Sequence, residues 1–164
     1  MGLLQDKNQY AKNISILRYD GKINEAITQC KIATVEYPTD NFFFKILGDL
    51  YMDIDCYEEA ASAYLENLKR MNRPELFRTF VRFYGRIRQK VDEDFLANYQ
   101  DQILVAVKRH EISCDIARKI AELWKRSEFI ASPKLHALAL LSDSDTNFED
   151  VKRHFNELSN HKDL

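Results

Sequence analysis

Chain breakers are scarce in this sequence, with four glycines and three prolines among 164 residues. So little punctuation argues for long helices joined by short turns. Cysteine is also sparse. Cys30, Cys56 and Cys114 are odd in number and far apart. They fall in no CxxC or Cys/His spacing, so they read as reduced thiols and not as a zinc site. No apolar run reaches the roughly 18 residues of a membrane span. The opening residues lack the basic and apolar blocks of a secretory signal. Asp6 stands where a myristoylation pattern needs Ser or Thr. A cytoplasmic protein with no membrane partner is expected.

Chemical machinery is thin as well. There is no glycine-rich phosphate loop, nucleophile elbow or HExxH motif. His110 and Cys114 are four apart, but they span a predicted turn and no third ligand is evident. His136, His154 and His161 are isolated. Asp92-Glu93-Asp94 suits the first turn of a helix, where carboxylates complement the dipole. The closing His161-Lys162-Asp163-Leu164 has the wrong order for an ER-retention tail. No catalytic residue, metal or cofactor is expected.

What is present is periodicity. Ile23-Asn24-Glu25-Ala26 returns 34 residues later as Tyr57-Glu58-Glu59-Ala60. Tyr10, Leu17, Ala26 and Cys30 return as Phe44, Tyr51, Ala60 and Tyr64. A repeat of this length marks a helical solenoid, in which each helix pair buries its apolar face on the next. Seven helices are predicted at about 6–17, 23–36, 41–52, 57–71, 74–87, 93–108 and 113–126. Their apolar faces include Phe44, Leu47, Gly48 and Tyr51 on the third and Phe77, Phe80, Val81, Tyr84 and Ile87 on the fifth. Ser132-Pro133 opens an eighth. Thr146-Asn147-Phe148-Glu149, a capping-box pattern, opens a ninth that runs to about Leu158. No strand-like alternation is sustained. The expected fold is an all-α, helical-hairpin solenoid of about nine helices, built as one domain.

These residues resemble the tetratricopeptide repeat (TPR) family over 7–74. The second copy carries Phe44, Leu47-Gly48, Tyr51, Ala60 and Tyr64, with Asn72 where proline is usual. The first carries Tyr10, Leu17, Gly21, Ala26, Cys30, Ala33 and Pro38, with Asn13-Ile14 in place of Leu-Gly. Beyond Pro74 the pattern lapses, and 75–164 reads as further helix pairs that continue the stack. The resemblance implies a right-handed superhelix whose inner groove holds a peptide or a helix of a partner protein. It maps the groove lining onto Ala11, Ser15 and Arg18, then Phe42, Lys45, Asp49 and Met52 or Asp53. One subgroup clamps a C-terminal carboxylate with Lys and Asn. The matching positions here are Ala11, Ser15, Ile46, Leu76 and Phe80, so that specificity does not carry over. Lys45 and Asp49 are also spaced for a plain i,i+4 ion pair on a solvated helix.

Charge supplies a second candidate surface. Residues 1–68 carry six basic and eleven acidic groups, whereas 69–90 carry eight basic and one acidic. Arg78, Arg82 and Arg86 recur every four residues and form one helical stripe, which Lys90 extends. Guanidinium rows bind carboxylates or phosphates with bidentate geometry. They also pair with acidic neighbours or face water. The alternative functions are therefore a nucleic-acid-binding domain using this stripe, and a homo-oligomerisation domain using exposed aromatics such as Phe42 or Phe43. Against nucleic acid stands the overall charge of −2.

Overall fold

The computed structural model describes residues 6–126 and Leu135. Among them are seven α-helices, with every described element helical: α1 (Lys7–Tyr19), α2 (Ile23–Glu36), α3 (Asn41–Asp53), α4 (Tyr57–Arg70), α5 (Phe77–Ile87), α6 (Glu93–Lys108) and α7 (Cys114–Arg126). A 3-10 turn, Pro74–Leu76, leads into α5. The eighth and ninth helices, His136, His154, His161 and the chain end lie outside the described residues, although Leu135 is itself helical and buried. The chain divides into two compact units, Met1–Arg70 and Met71–Leu164.

In the first unit each helix packs on the next: α1 on α2, α2 on α3, α3 on α4. The helix starts, caps and turns of its two hairpins coincide at an offset of 34. Asp6 caps α1 by accepting the Asn8 N–H at 3.1 Å, and Asp40 caps α3 by accepting the Phe42 N–H at 2.9 Å. The turn after α1 closes with Lys22 N–H on the Leu17 carbonyl at 2.8 Å. The turn after α3 closes with Cys56 N–H on the Tyr51 carbonyl at 2.9 Å. Both are Schellman closures, which need a left-handed residue. Gly21 supplies it with φ 77°, and Asp55 with φ 59°.

The core of this unit gathers Tyr10, Ile14, Ala26, Ile27, Cys30, Ala33, Phe43, Leu47, Leu50 and Ala63. Small residues bring the helices close, and the aromatics fill what remains. The apolar face expected on α3 is incomplete. Phe43 and Leu50 are fully buried, while Phe44 and Tyr51 are only half-buried. The reason is that α3 lies between α2 and α4 and so buries two sides. Phe43 is thereby removed as an exposed aromatic for self-association.

In the second unit, α5 packs on its own 3-10 turn and on α7. Phe77, Phe80, Phe83, Tyr84 and Ile87 are buried. Val81 was expected on that face but is 40% exposed. Phe83 takes the inward place and meets Tyr99 of α6 edge-on, with centroids 6.3 Å apart. Tyr84 accepts a 3.0 Å hydrogen bond from Gln100 Nε2 of α6. The turn after α6 repeats the Schellman closure, with Glu111 N–H on the Ala106 carbonyl at 2.9 Å and His110 at φ 60°. The spacing of His110 and Cys114 thus serves a helix end.

Candidate functional site

Two faces carry the polar residues that sequence spacing singles out. The first is shared by α1 and α3. Lys7 at the start of α1 forms an ion pair with Asp40, the cap of α3, and lies 5.2 Å from the Phe42 ring centroid. Arg18 at the end of α1 donates from Nε and Nη2 to the Asp53 carboxylate, at 2.7 and 3.0 Å. Start meets start and end meets end, so α1 and α3 run parallel, displaced by one repeat.

Between these two ties lie Lys45 and Asp49, paired at 3.3 Å. The Tyr64 hydroxyl of α4 donates to Asp49 from behind. Burial pushes the Asp49 carboxyl above the ordinary aspartate range; Lys45 and Arg18 pull it down, and Asp53 pushes it up. Ser15 is exposed on α1. The face is therefore a ladder of mutually neutralised charges, Arg18–Asp53, Lys45–Asp49 and Lys7–Asp40, with Phe42 at one end. Met52 is corrected out of it. At 4% exposure it faces the core, and Asp53 holds the neighbouring open position. Lys7 and Asp40 were not anticipated. Their signal was opposite charge at nearly the repeat spacing.

The second face belongs to α5. Arg78, Arg82 and Arg86 are all exposed. None of the three stripe arginines forms an ion pair with another described residue. At the start of the stripe is a hollow of about 420 Å³ lined by Pro74, Glu75, Phe77, Arg78, Val81 and Lys119. Lys119 is a contributor from α7 that sequence spacing alone did not connect to the stripe. The aromatics interleaved with the arginines, Phe77, Phe80, Phe83 and Tyr84, are buried.

A second hollow, of about 400 Å³, lies on the first unit between α3 and α4, with Phe44, Leu47 and Tyr51 against Glu58, Glu59 and Glu66. Arg70 already covers the Phe44 ring at 4.0 Å, and Lys31 lies 5.9 Å from that of Tyr51.

Among the described residues no group of three or more His, Cys, Asp or Glu is placed to hold a metal ion. No described helix is long and apolar enough to cross a membrane. No family model, curated protein or solved structure matches the chain.

Proposed function

We propose that the chain is a non-catalytic interaction module of TPR type, which holds a peptide or a helix of a partner protein along the face shared by α1 and α3. The observation that carries this reading is the equivalence of the two hairpins at 34 residues in caps, turns and helix starts, with α1 and α3 parallel. Repeats stacked in this way expose the first helix of each pair as a continuous polar surface. Asp49, held by Lys45 and Tyr64, is a fixed acceptor on that surface, and Arg18–Asp53 is a fixed ion pair. Such preorganised groups reduce the ordering cost of a guest. The step from fold to function is an analogy, so the site must be tested directly.

The test is selection of peptides from a random display library on the immobilised protein, followed by affinity measurement on Lys45→Glu and Ser15→Arg variants. Both positions are at the surface, and circular dichroism checks that helicity is kept. The selected peptides should lose affinity for both variants. Retained affinity removes this face as the site, and failure to select any peptide removes the peptide-binding reading.

A further inference from the structure

The arginine stripe of α5 goes beyond the α1/α3 reading, because it lies in the other unit and is tested independently. Arg78, Arg82 and Arg86 stand one helical turn apart, at intervals of about 6 Å along the axis. None of them, nor Lys119, has an acidic partner among the described residues. Three exposed guanidinium groups in a row repel one another and attract anions.

The hollow beside Arg78 adds an apolar component. Its walls include Phe77 and the exposed Val81, and its rim carries Arg78 and Lys119 against one carboxylate, Glu75. In an extended peptide, side chains on one face recur about every 6.6–6.8 Å. Acidic residues at alternate positions therefore come into register with the arginines, each able to accept a two-pronged bond. An apolar side chain next to them reaches the hollow.

A single-stranded nucleic acid fits this surface less well. Its sequence-tolerant affinity comes from bases stacked on open aromatic faces. Phe80, Phe83 and Tyr84 are buried, and Phe77, which reaches the hollow, is only 7% exposed. We propose that the exposed arginine face of α5 binds an extended acidic peptide, with Arg78, Arg82 and Arg86 reading alternate carboxylates and the hollow beside Arg78 and Val81 taking an apolar side chain.

The probe is a labelled peptide of about eight residues, long enough to span the stripe when extended. It carries glutamate at alternate positions, one leucine near an end and serine elsewhere, and binding is followed by fluorescence anisotropy at low salt. Binding should weaken roughly fivefold in Arg82→Ala and more in Arg82→Glu, the scale of a lost exposed charge pair. Lys12→Glu, an exposed position of α1 in the first unit, should leave it unchanged. The same peptide with glutamine for glutamate should fail to bind the unaltered protein, a result that needs no change to the fold. An oligouridine of equal charge should not displace the glutamate peptide. No binding, indifference to Arg82→Glu or to the glutamine exchange, or displacement by oligouridine overturns the proposal.

Discussion

The Tyr64 ring in α4 fills the space where Gly48 in α3 lacks a side chain. A Cβ at Gly48 would come within 2.5 Å of Tyr64 Cε2 and 2.6 Å of Cδ2. Tyr64 is buried and its hydroxyl is held by Asp49, which restrains the ring from yielding. Gly85 in α5 is the opposite case, since a Cβ there meets nothing within 4 Å. The two Gly→Ala changes should therefore differ in sign. Gly85→Ala gains helix propensity and should stabilise by about 0.5–1 kcal/mol. Gly48→Ala gains the same propensity but overpacks a filled contact, which costs about 1–3 kcal/mol. It should be destabilising on balance. Urea midpoints of the two variants decide the matter, and a higher midpoint for Gly48→Ala would refute the contact.

That contact was legible in the second copy alone, where Gly48 permits a close helix crossing and Tyr64 is the aromatic able to fill it. Helix limits were legible for the same local reason. The bounds of α2 and α6 agree with those expected, since Pro38 and the Asp92 cap stop and start helices through their own chemistry. What escaped was set by neighbours. Phe43 and Leu50 are buried because α3 is covered on two sides, a fact that one helical period cannot express. Val81 and Phe83 exchange places because α5 turns toward α6 and Tyr99. The Lys7–Asp40 and Arg18–Asp53 ties require the phase of one repeat against the next. Lys119 joins the arginine stripe only through the way α7 packs.

The matched turns make a reciprocal prediction. Gly21 and Asp55 occupy equivalent left-handed positions, but only one is glycine. A β-carbon in that conformation costs about 1–2 kcal/mol, less for Asp or Asn. Gly21→Ala should therefore destabilise by about 1 kcal/mol. Asp55→Gly should be neutral to slightly stabilising, because relief of strain is offset by loss of the exposed bond in which Asp55 accepts from the Tyr57 hydroxyl. Thermal unfolding of both variants tests it. Equal effects of the two would deny that the turns are equivalent.

Tyr99 carries a buried hydroxyl with no hydrogen-bond partner among the described residues. An unmatched buried polar group costs about 1–3 kcal/mol. Its ring still meets Phe83 edge-on, a contact that phenylalanine preserves. Tyr99→Phe should accordingly raise the urea midpoint, by about 1 kcal/mol in stability. A drop of that size would mean that the hydroxyl has found a partner.

Cys30 differs from the other thiols. It is fully buried, and its Sγ–H donates to the Phe43 carbonyl at 3.2 Å. Burial, and then the nearby charge of Asp49, push its pKa up to about 12. The thiolate is the reactive form, so native Cys30 is inert on both counts. Cys56 and Cys114 are half-buried. Iodoacetamide should modify Cys56 and Cys114 in native buffer, and Cys30 only through opening of the first unit, with urea accelerating it along the unfolding curve. Peptide mass analysis reads each site. Labelling of native Cys30 as fast as Cys56 would contradict the packing of α2 on α3.

Acid should act on this unit through two carboxylates of opposite sense. Burial raises the pKa of Glu66, but the Arg70 hydrogen bond and Lys69 outweigh it and hold the carboxyl below its ordinary value of 4.5. A lowered folded value means the unfolded chain binds the proton first, so the contribution of Glu66 is present above that pH and fades as pH falls. The group is partly exposed, so the contribution is about 0.2–1 kcal/mol. For Asp49 the folded value is raised, chiefly by burial. Its contribution is complete below the ordinary aspartate range and declines as pH rises. Glu66→Gln should thus destabilise near pH 7 and cease to matter near pH 3, on the ordinary carboxylate scale. Asp49→Asn, which keeps an acceptor for the Tyr64 hydroxyl, should compare best with the parent near pH 7 and lose that advantage in acid. Urea titrations of the three proteins at both pH values give the comparison. Parallel pH curves for the two variants would show that the carboxylates do not differ in environment.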